Sequence, residues 1–348
     1  MMKVSNAEIS CLTFNAPVEY LNGVQVQIIG KLFRGFKMRY IFVIPEARRI
    51  VRKINPDILI GYRINSYGLL AVGTGWHPNV VLAQGSDIFD KKGSMLRRLN
   101  LKYVLKRTDL IHTWEVHMRN KLFEYGADGE KILVLPKGID TEIFRPLSDQ
   151  QEKKREPILI STRQLRTTYN HQCILEAVQL VLRKTQSLQY LICGEGDYKN
   201  ELQRIAEKLG IISAVKFVGR VDHDALPTLL CSADIYVSMQ PSDGVSASLL
   251  EAMACGVFPI VVDNEANRIW IKDGVNGFLC PVNNHFVLAE KIEEALKCID
   301  LREEAKRMNF EIVRRRASME ANMRTTLRVY EDLVKKVNPR LLISSGNY

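Results

Sequence analysis

A chain of 348 residues with 46% apolar and 25% charged content is long enough for about two domains of roughly 150 residues each, with cores of their own. Its apolar runs stop short of the ~20 residues that a bilayer-spanning helix needs, and its start lacks the basic-then-apolar layout of a signal peptide, so a cytoplasmic chain is expected. The net charge of +10 is concentrated in residues 1–150, with 22 Lys and Arg against 14 Asp and Glu, compared with 27 against 25 in the rest; without an RNA- or DNA-binding motif or interleaved aromatics, no nucleic-acid partner is expected.

In the first half, strands are expected at Ile9–Phe14, Val24–Ile28, Asp57–Gly61, Asn79–Gln84, Leu110–Thr113 and Ile132–Leu135, with helical periods at Glu46–Ile54, Ser66–Val72 and Glu115–Tyr125. Short apolar runs alternating with helical segments are the pattern of parallel sheets covered by helices. Between Lys91 and Arg107, seven basic residues alternate with Met95, Leu96, Leu99, Leu101, Val104 and Leu105. This basic amphipathic helix suits either a solvated surface with its leucines packed on a sheet, or an anionic membrane surface or acceptor.

The stretch from Pro136 to Pro157, with its prolines, Gly138 and the charged run Gln151–Glu156, reads as a linker. A second alternating series follows: strands at Ile158–Thr162, Leu188–Cys193, Val215–Val218, Asp234–Met239 and Phe258–Val262, and helices at Cys173–Lys184, Tyr198–Leu209, Asp224–Cys231 and Ser246–Ala254. Residues 286–336 are helical in period almost throughout. The fold class is therefore α/β, with two Rossmann-like doubly wound domains placing ligands at their C-terminal strand ends. The seven cysteines are widely spaced and read as reduced core residues. No spacing suggests a metal site, a P-loop or an HExxH helix.

The segment from Ser238 to Gly256 carries the most chemistry. A strand ends, an acid and a glycine follow in Asp243-Gly244-Val245, and Ser246 opens a helix that holds a second acid, Glu251. Amide groups at a helix start take phosphates, Asp243 can accept hydrogen bonds from sugar hydroxyls, and Glu251 can grip a ribose. Ser246 also suits a plain N-cap, and Glu251 a surface acid. Its apolar neighbours Leu249, Leu250, Ala252, Met253 and Ala254 make exposure less automatic.

That segment resembles the family 4 glycosyltransferases, whose motif is an acid, seven residues and a Glu, commonly followed by Ala-Met-Ala-x-Gly. Asp243 and Glu251 keep the spacing, with Asp in place of the usual Glu. The resemblance runs from about Ile9 to Tyr330 and includes Lys137-Gly138-Ile139-Asp140, Leu191–Gly196, Val215–Arg220 and Asp273–Leu279. It implies a GT-B architecture: an acceptor-side domain over 1–145, a nucleotide-sugar domain over 146–320 facing it across a cleft, a helix over 321–337 returning to the first, and a tail over 338–348. The implied reaction is retaining transfer of a sugar from a nucleotide diphosphate to a hydroxyl of a glycan, lipid or small molecule. It needs no metal and no cofactor beyond the donor.

The resemblance also implies a basic pair for the diphosphate. Arg163 fits the first position. Where the family often has Lys-Gly, this chain has Tyr169-Asn170-His171, so Arg166 or a protonated His171 are the replacements, although His171 also suits a helix start. Gly194 and Gly196 fit either a close approach of backbone to the base or ribose, or a plain turn. In the first domain Gln84 stands where the family has a His near the donor sugar, and Asp87 would orient the acceptor or its loop, or cap a helix. Gln84 cannot carry a proton. This matters little if the leaving phosphate itself deprotonates the acceptor.

The family pattern begins one strand earlier than Glu8–Phe14. Loss of that central strand predicts unpaired edges on its two neighbours, and hence either a start roughly 30 residues upstream or a rearranged first domain with weakened acceptor binding. A catalytically weakened donor-binding paralogue, or an epimerase or phosphorylase on the same architecture, is the alternative.

Overall fold

Strand and helix alternate through two units in a computed structural model that describes residues 7–15, 22–31, 39–89, 95–136, 138–147, 156–185, 187–242 and 244–337. One unit comprises the chain up to Pro136 together with residues from Glu320 onward, and the other runs from Lys137 to Met319. The first unit ends before residue 145 because Ile139 bridges to Ser318 and Phe144 is buried in the second unit's core.

The first unit contains β1 (Ile9–Thr13), β2 (Val24–Ile28), α1 (Arg39–Phe42), α2 (Ile44–Ile54), β3 (Leu59–Tyr62), α3 (Leu69–Thr74), β4 (Asn79–Leu82), α4 (Met95–Arg107), β5 (Leu110–Thr113), α5 (Val116–Glu124) and β6 (Ile132–Val134). Every strand pair is parallel. Among the described residues these strands form two separate sheets, β1-β2 and β3-β4-β5-β6, so β1 and β3 each have one hydrogen-bonded neighbour. Packing bridges the break. Phe14 and Ile29, just beyond β1 and β2, are buried with Val43, Ala47 and Leu70, and the Phe14 amide donates to the Tyr67 hydroxyl at 3.3 Å. On β3, Ile60 and Tyr62 are exposed, whereas β5 is buried along its whole length. Among the described residues β3 thus lacks, at Ile60 and Tyr62, the cover that β5 has.

The second unit contains β7 (Ile158–Ser161), α6 (His171–Leu182), β8 (Gln189–Cys193), α7 (Lys199–Lys208), β9 (Val215–Gly219), α8 (Leu226–Cys231), β10 (Ile235–Ser238), α9 (Ala247–Ala254), β11 (Phe258–Val262), α10 (Glu265–Arg268), β12 (Phe278–Cys280), α11 (His285–Lys297) and α12 (Ile299–Arg316). They build one parallel sheet in the order β12-β11-β10-β7-β8-β9. Its strand residues alternate between two cores: Leu159, Ile235, Val237 and Ile260 face α6 and α11, while Ile160, Tyr236 and Val261 face α9 and α12. Burial on both faces explains why these strands read as continuous apolar runs.

The chain then returns to the first unit through α13 (Met319–Val337). Buried Tyr330 holds it there, its hydroxyl 3.0 Å from Nδ1 of His112 on β5. The architecture is therefore two Rossmann-like parallel units with a C-terminal helical return. Among the described residues no helix is long and apolar enough to cross a membrane.

Two expectations need correction. Cys11 and Cys298 are exposed and Cys231 is half-buried, so only Cys173, Cys193, Cys255 and Cys280 are core residues. Helix α4 also does not gather its leucines on one buried face. Leu101, Val104 and Leu105 enter the core, while Met95 and Leu96 are 77% and Leu99 53% exposed, on the same outward arc as Arg98, Lys102 and Lys106.

Candidate functional site

In the second unit the strand order reverses between β7 and β10, since β8 and β9 follow on one side of β7 and β10, β11 and β12 on the other. At such a switch point the connections leave in opposite directions, which opens a crevice at the C-terminal ends of the strands. The chain after β7 and the chain after β10 both arrive there, bringing Arg163 and the start of α9 together.

Ser246 is the N-cap of α9, its hydroxyl accepting from the Leu249 amide at 3.2 Å. The same oxygen accepts from Nη1 of Arg163 at 3.1 Å, and Ser248 Oγ accepts from that nitrogen at 2.9 Å. Tyr236, fully buried on β10, donates its hydroxyl to Ser248 at 2.9 Å. Burial raises the Tyr236 phenol and so keeps the proton in place. The guanidinium also lies over the Tyr169 ring, 4.7 Å from its centroid. Arg163 is therefore oriented before any ligand arrives, beside the positive end of a helix dipole, an arrangement suited to an anion.

Gly244 is buried at the entrance to α9, with Val245 half-buried and Ser246 buried. Glu251 lies half-buried in the middle of the helix. Asp243 lies outside the described residues, as does Lys137. Arg166 is exposed at the start of a 3-10 turn over Thr167–Tyr169.

His171 does not supply a second positive charge. Its ring is fully buried, with Nδ1 3.1 Å from the Tyr190 hydroxyl and Nε2 3.1 Å from the Gln164 carbonyl. Burial pulls its pKa down to about 4. Of the two candidates for the second charge, Arg166 is the one that lies exposed.

The buried ring makes stability pH-dependent. An unfolded His takes up its proton near pH 6.5, whereas the folded ring does so near 4. Between those values the unfolded chain binds the extra proton, so stability is full above about pH 6.5 and falls until about pH 4, by roughly 3 kcal/mol. Urea midpoints of the native chain and His171→Gln, measured from pH 7.5 to 4.5, are expected to differ in slope, the variant being flatter. Parallel slopes would refute a buried neutral ring.

Gly194 and Gly196 bring backbone close to backbone, and the partner is their own chain. A Cβ at Gly194 would stand 2.5 Å from the Arg163 carbonyl oxygen, and one at Gly196 2.0 Å from that of Leu165. The loop after β8 is thus pressed against the loop that carries Arg163.

In the first unit Gln84 and Asp87 meet each other. The Asp87 carboxylate accepts from the Gln84 amide at 2.8 Å and the Ile64 amide at 2.7 Å, while the Gln84 side chain accepts from the Asp87 amide. Burial raises the Asp87 pKa and these amides oppose the shift. Both side chains brace the turn after β4. Among the described residues no three His, Cys, Asp or Glu side chains gather in a way that could hold a metal ion.

Residues 144–311 match the family described as Glycosyl transferases group 1, and residues 2–114 match Glycosyl transferase 4-like. The fold is shared with Anabaena Alr3699/HepE, solved in complex with UDP, at a TM-score of 0.75 and 16% identity, covering 89% of this chain and 86% of that one. The chain is a glycosyltransferase-like protein of GT-B fold. This glycosyltransferase-like chain is 33% identical over 166 residues to the Bacillus subtilis (strain 168) "Putative glycosyltransferase EpsD", covering 45% of itself and 43% of that protein. To the Mycobacterium tuberculosis (strain ATCC 25618 / H37Rv) phosphatidyl-myo-inositol mannosyltransferase it is 26% identical over 207 residues, covering 58% of itself and 52% of that protein. It spans about half the length of these relatives.

Sequence reasoning missed Tyr236, Ser248 and Tyr169 around Arg163. Ser-x-Ser at a helix start was the available signal for Ser248. Tyr236 sits inside an apolar strand and resembles any core aromatic.

Proposed function

We propose that the protein transfers a sugar from a nucleotide diphosphate to an acceptor hydroxyl with retention of configuration, and that the second unit holds the donor. The observation that carries this reading is Arg163, fixed by Ser246 and Ser248 at the start of α9. The guanidinium and the helix amides take the diphosphate and stabilise its charge as the sugar bond breaks, without a metal. Glu251 grips the ribose and Asp243 the sugar hydroxyls, with Arg166 as the second cation. The UDP in the Anabaena structure supports a nucleotide donor.

For the acceptor we propose a lipid at an anionic membrane surface, reached from the cytoplasmic side. Support comes from the outward arc of α4, where Met95, Leu96 and Leu99 lie exposed beside Arg98, Lys102 and Lys106, and from the lipid in the mycobacterial relative's name. Apolar side chains that enter the headgroup region flanked by cations suit such a surface.

The use of Gln84 and Asp87 to brace their own turn favours a second reading in which the donor is bound but not turned over. One assay series separates the two. Nucleotide sugars are titrated by calorimetry, and turnover is then followed with lipid acceptors in phosphatidylglycerol or phosphatidylcholine vesicles. Transfer is expected, faster on the anionic vesicles, and lost in Glu251→Ala. Binding without turnover on either vesicle supports the second reading, while no binding of any nucleotide sugar overturns both.

A further inference from the structure

The peptide that joins Gln164 to Leu165 is held at both of its polar ends. Its carbonyl oxygen lies 3.1 Å from Nε2 of His171, and its N–H donates to the Glu195 carbonyl at 3.0 Å. The same Gln164 oxygen accepts from the Arg166 amide at 3.0 Å. One carbonyl therefore carries both cations assigned above to the diphosphate, since Arg163 is the residue before it and Arg166 is bonded to it.

A carbonyl oxygen only accepts, so the proton of the 3.1 Å contact belongs to Nε2, and Nδ1 is left as an acceptor. Nδ1 lies 3.1 Å from the Tyr190 hydroxyl, which donates to it. A neutral imidazole has one donor and one acceptor, and these two partners use both. The ring also stands on a fixed base. His171 is fully buried as the first residue of α6, whose Cys173, Ile174, Leu175, Ala177 and Val178 are buried in the second unit's core, and Tyr190 is fully buried on β8.

We infer that His171 is a positioning residue for donor binding: through the Gln164 carbonyl it sets the path of the loop between β7 and α6, and with it the placement of Arg163 and Arg166. This rests on the proposal that the two arginines hold the diphosphate. From its buried place the ring acts through backbone. Ser246 and Ser248 fix the tip of Arg163, whereas His171 fixes the chain from which that side chain springs. Without the His171 bond the Gln164 carbonyl keeps only the Arg166 amide, the peptide is free to turn about its flanking Cα atoms, and the Arg166 amide turns with its acceptor.

Two polar substitutions isolate that bond. Glutamine carries its amide nitrogen where His171 has Nε2, and asparagine ends one carbon short, near the place of Nδ1. In calorimetric titrations of UDP, GDP and ADP, His171→Gln is expected to stay within about threefold of the native affinity, and His171→Asn to be about tenfold weaker. Because the effect runs through Arg163, the asparagine change should cost about threefold or less in an Arg163→Ala chain, the non-additivity of groups that act together. Native affinity in His171→Asn overturns the inference. So do equal losses in the two variants, which point to packing rather than to the bond, and an asparagine cost that is unchanged without Arg163. In the native chain, 15N spectra of the imidazole should place the proton on Nε2 from about pH 5.5 to 8; a proton on Nδ1 overturns the inference whether or not any variant folds. Native affinity in Arg163→Ala is a separate result, which strikes the donor site itself and the inference that stands on it.

Discussion

Gly196→Ala is expected to cost the second unit about 3 kcal/mol of stability and to abolish nucleotide binding with it. The added Cβ would stand 2.0 Å from the Leu165 carbonyl oxygen and 2.5 Å from its carbon. Backbone cannot rotate away as a side chain can. Leu165 is pinned from both sides, its amide donating to the Glu195 carbonyl at 3.0 Å and its carbonyl accepting from the Tyr198 amide at 3.0 Å. Making room breaks both bonds and shifts the loop that carries Arg163. Gly194→Ala meets the Arg163 carbonyl at 2.5 Å and is expected to cost less stability but to displace Arg163 more directly. Urea unfolding of both variants, followed by nucleotide titration of whatever remains folded, reads the two effects separately. A Gly196→Ala midpoint within about 0.5 kcal/mol of the native chain would show that the two loops do not press on each other.

The second unit was legible because its strands are buried on both faces and its helices have one apolar side. Apolar runs such as Phe258–Val262 can then only be core strands, and the structure buries that run entirely. Where long-range contacts decide, the sequence was silent. Residues 286–336 read as almost continuous helix, yet α12 stops at Arg316. There the Ile139 amide takes the Ala317 carbonyl at 2.7 Å, and the Met319 amide bonds back to Ile139 at 2.9 Å. No glycine or proline marks that break, since it is made by a bridge to a distant segment. The six-residue π-helical turn Arg63–Gly68, which Asp87 braces through Ile64, likewise has no local signature.

The candidate site shows the same division. Arg163 was singled out by the family resemblance, and the N-cap at Ser246 by its residue type at a helix start. The state of His171 was not legible, because whether a histidine carries charge depends on burial and on what meets its two nitrogens, here Tyr190 and Gln164. The glycines 194 and 196 were recognisable as places of close approach, but not what approaches them. Both a ligand and the neighbouring loop satisfy the same pattern, and in the folded chain it is the loop that approaches.

Arg163→Ala is expected to weaken binding of nucleoside diphosphates by about 30- to 100-fold, or about 2–3 kcal/mol, while leaving the fold intact. The loss is specific to the guanidinium. A single nitrogen, Nη1, bonds both Ser246 at 3.1 Å and Ser248 at 2.9 Å, and the planar group stacks over Tyr169. These contacts fix a rigid fork in one orientation, so little freedom remains to be lost when a phosphate binds. Lysine keeps the charge but is a single flexible point donor. Arg163→Lys should therefore recover only a minor part of the affinity. Tyr236→Phe removes a bond that orients Ser248 without touching a ligand, and should cost less than either change at Arg163. Calorimetric titration of UDP, GDP and ADP into the native chain and the three variants gives that ranking directly. If Arg163→Ala binds the preferred nucleotide as tightly as the native chain does, the diphosphate is not held at the start of α9, and the donor must lie elsewhere.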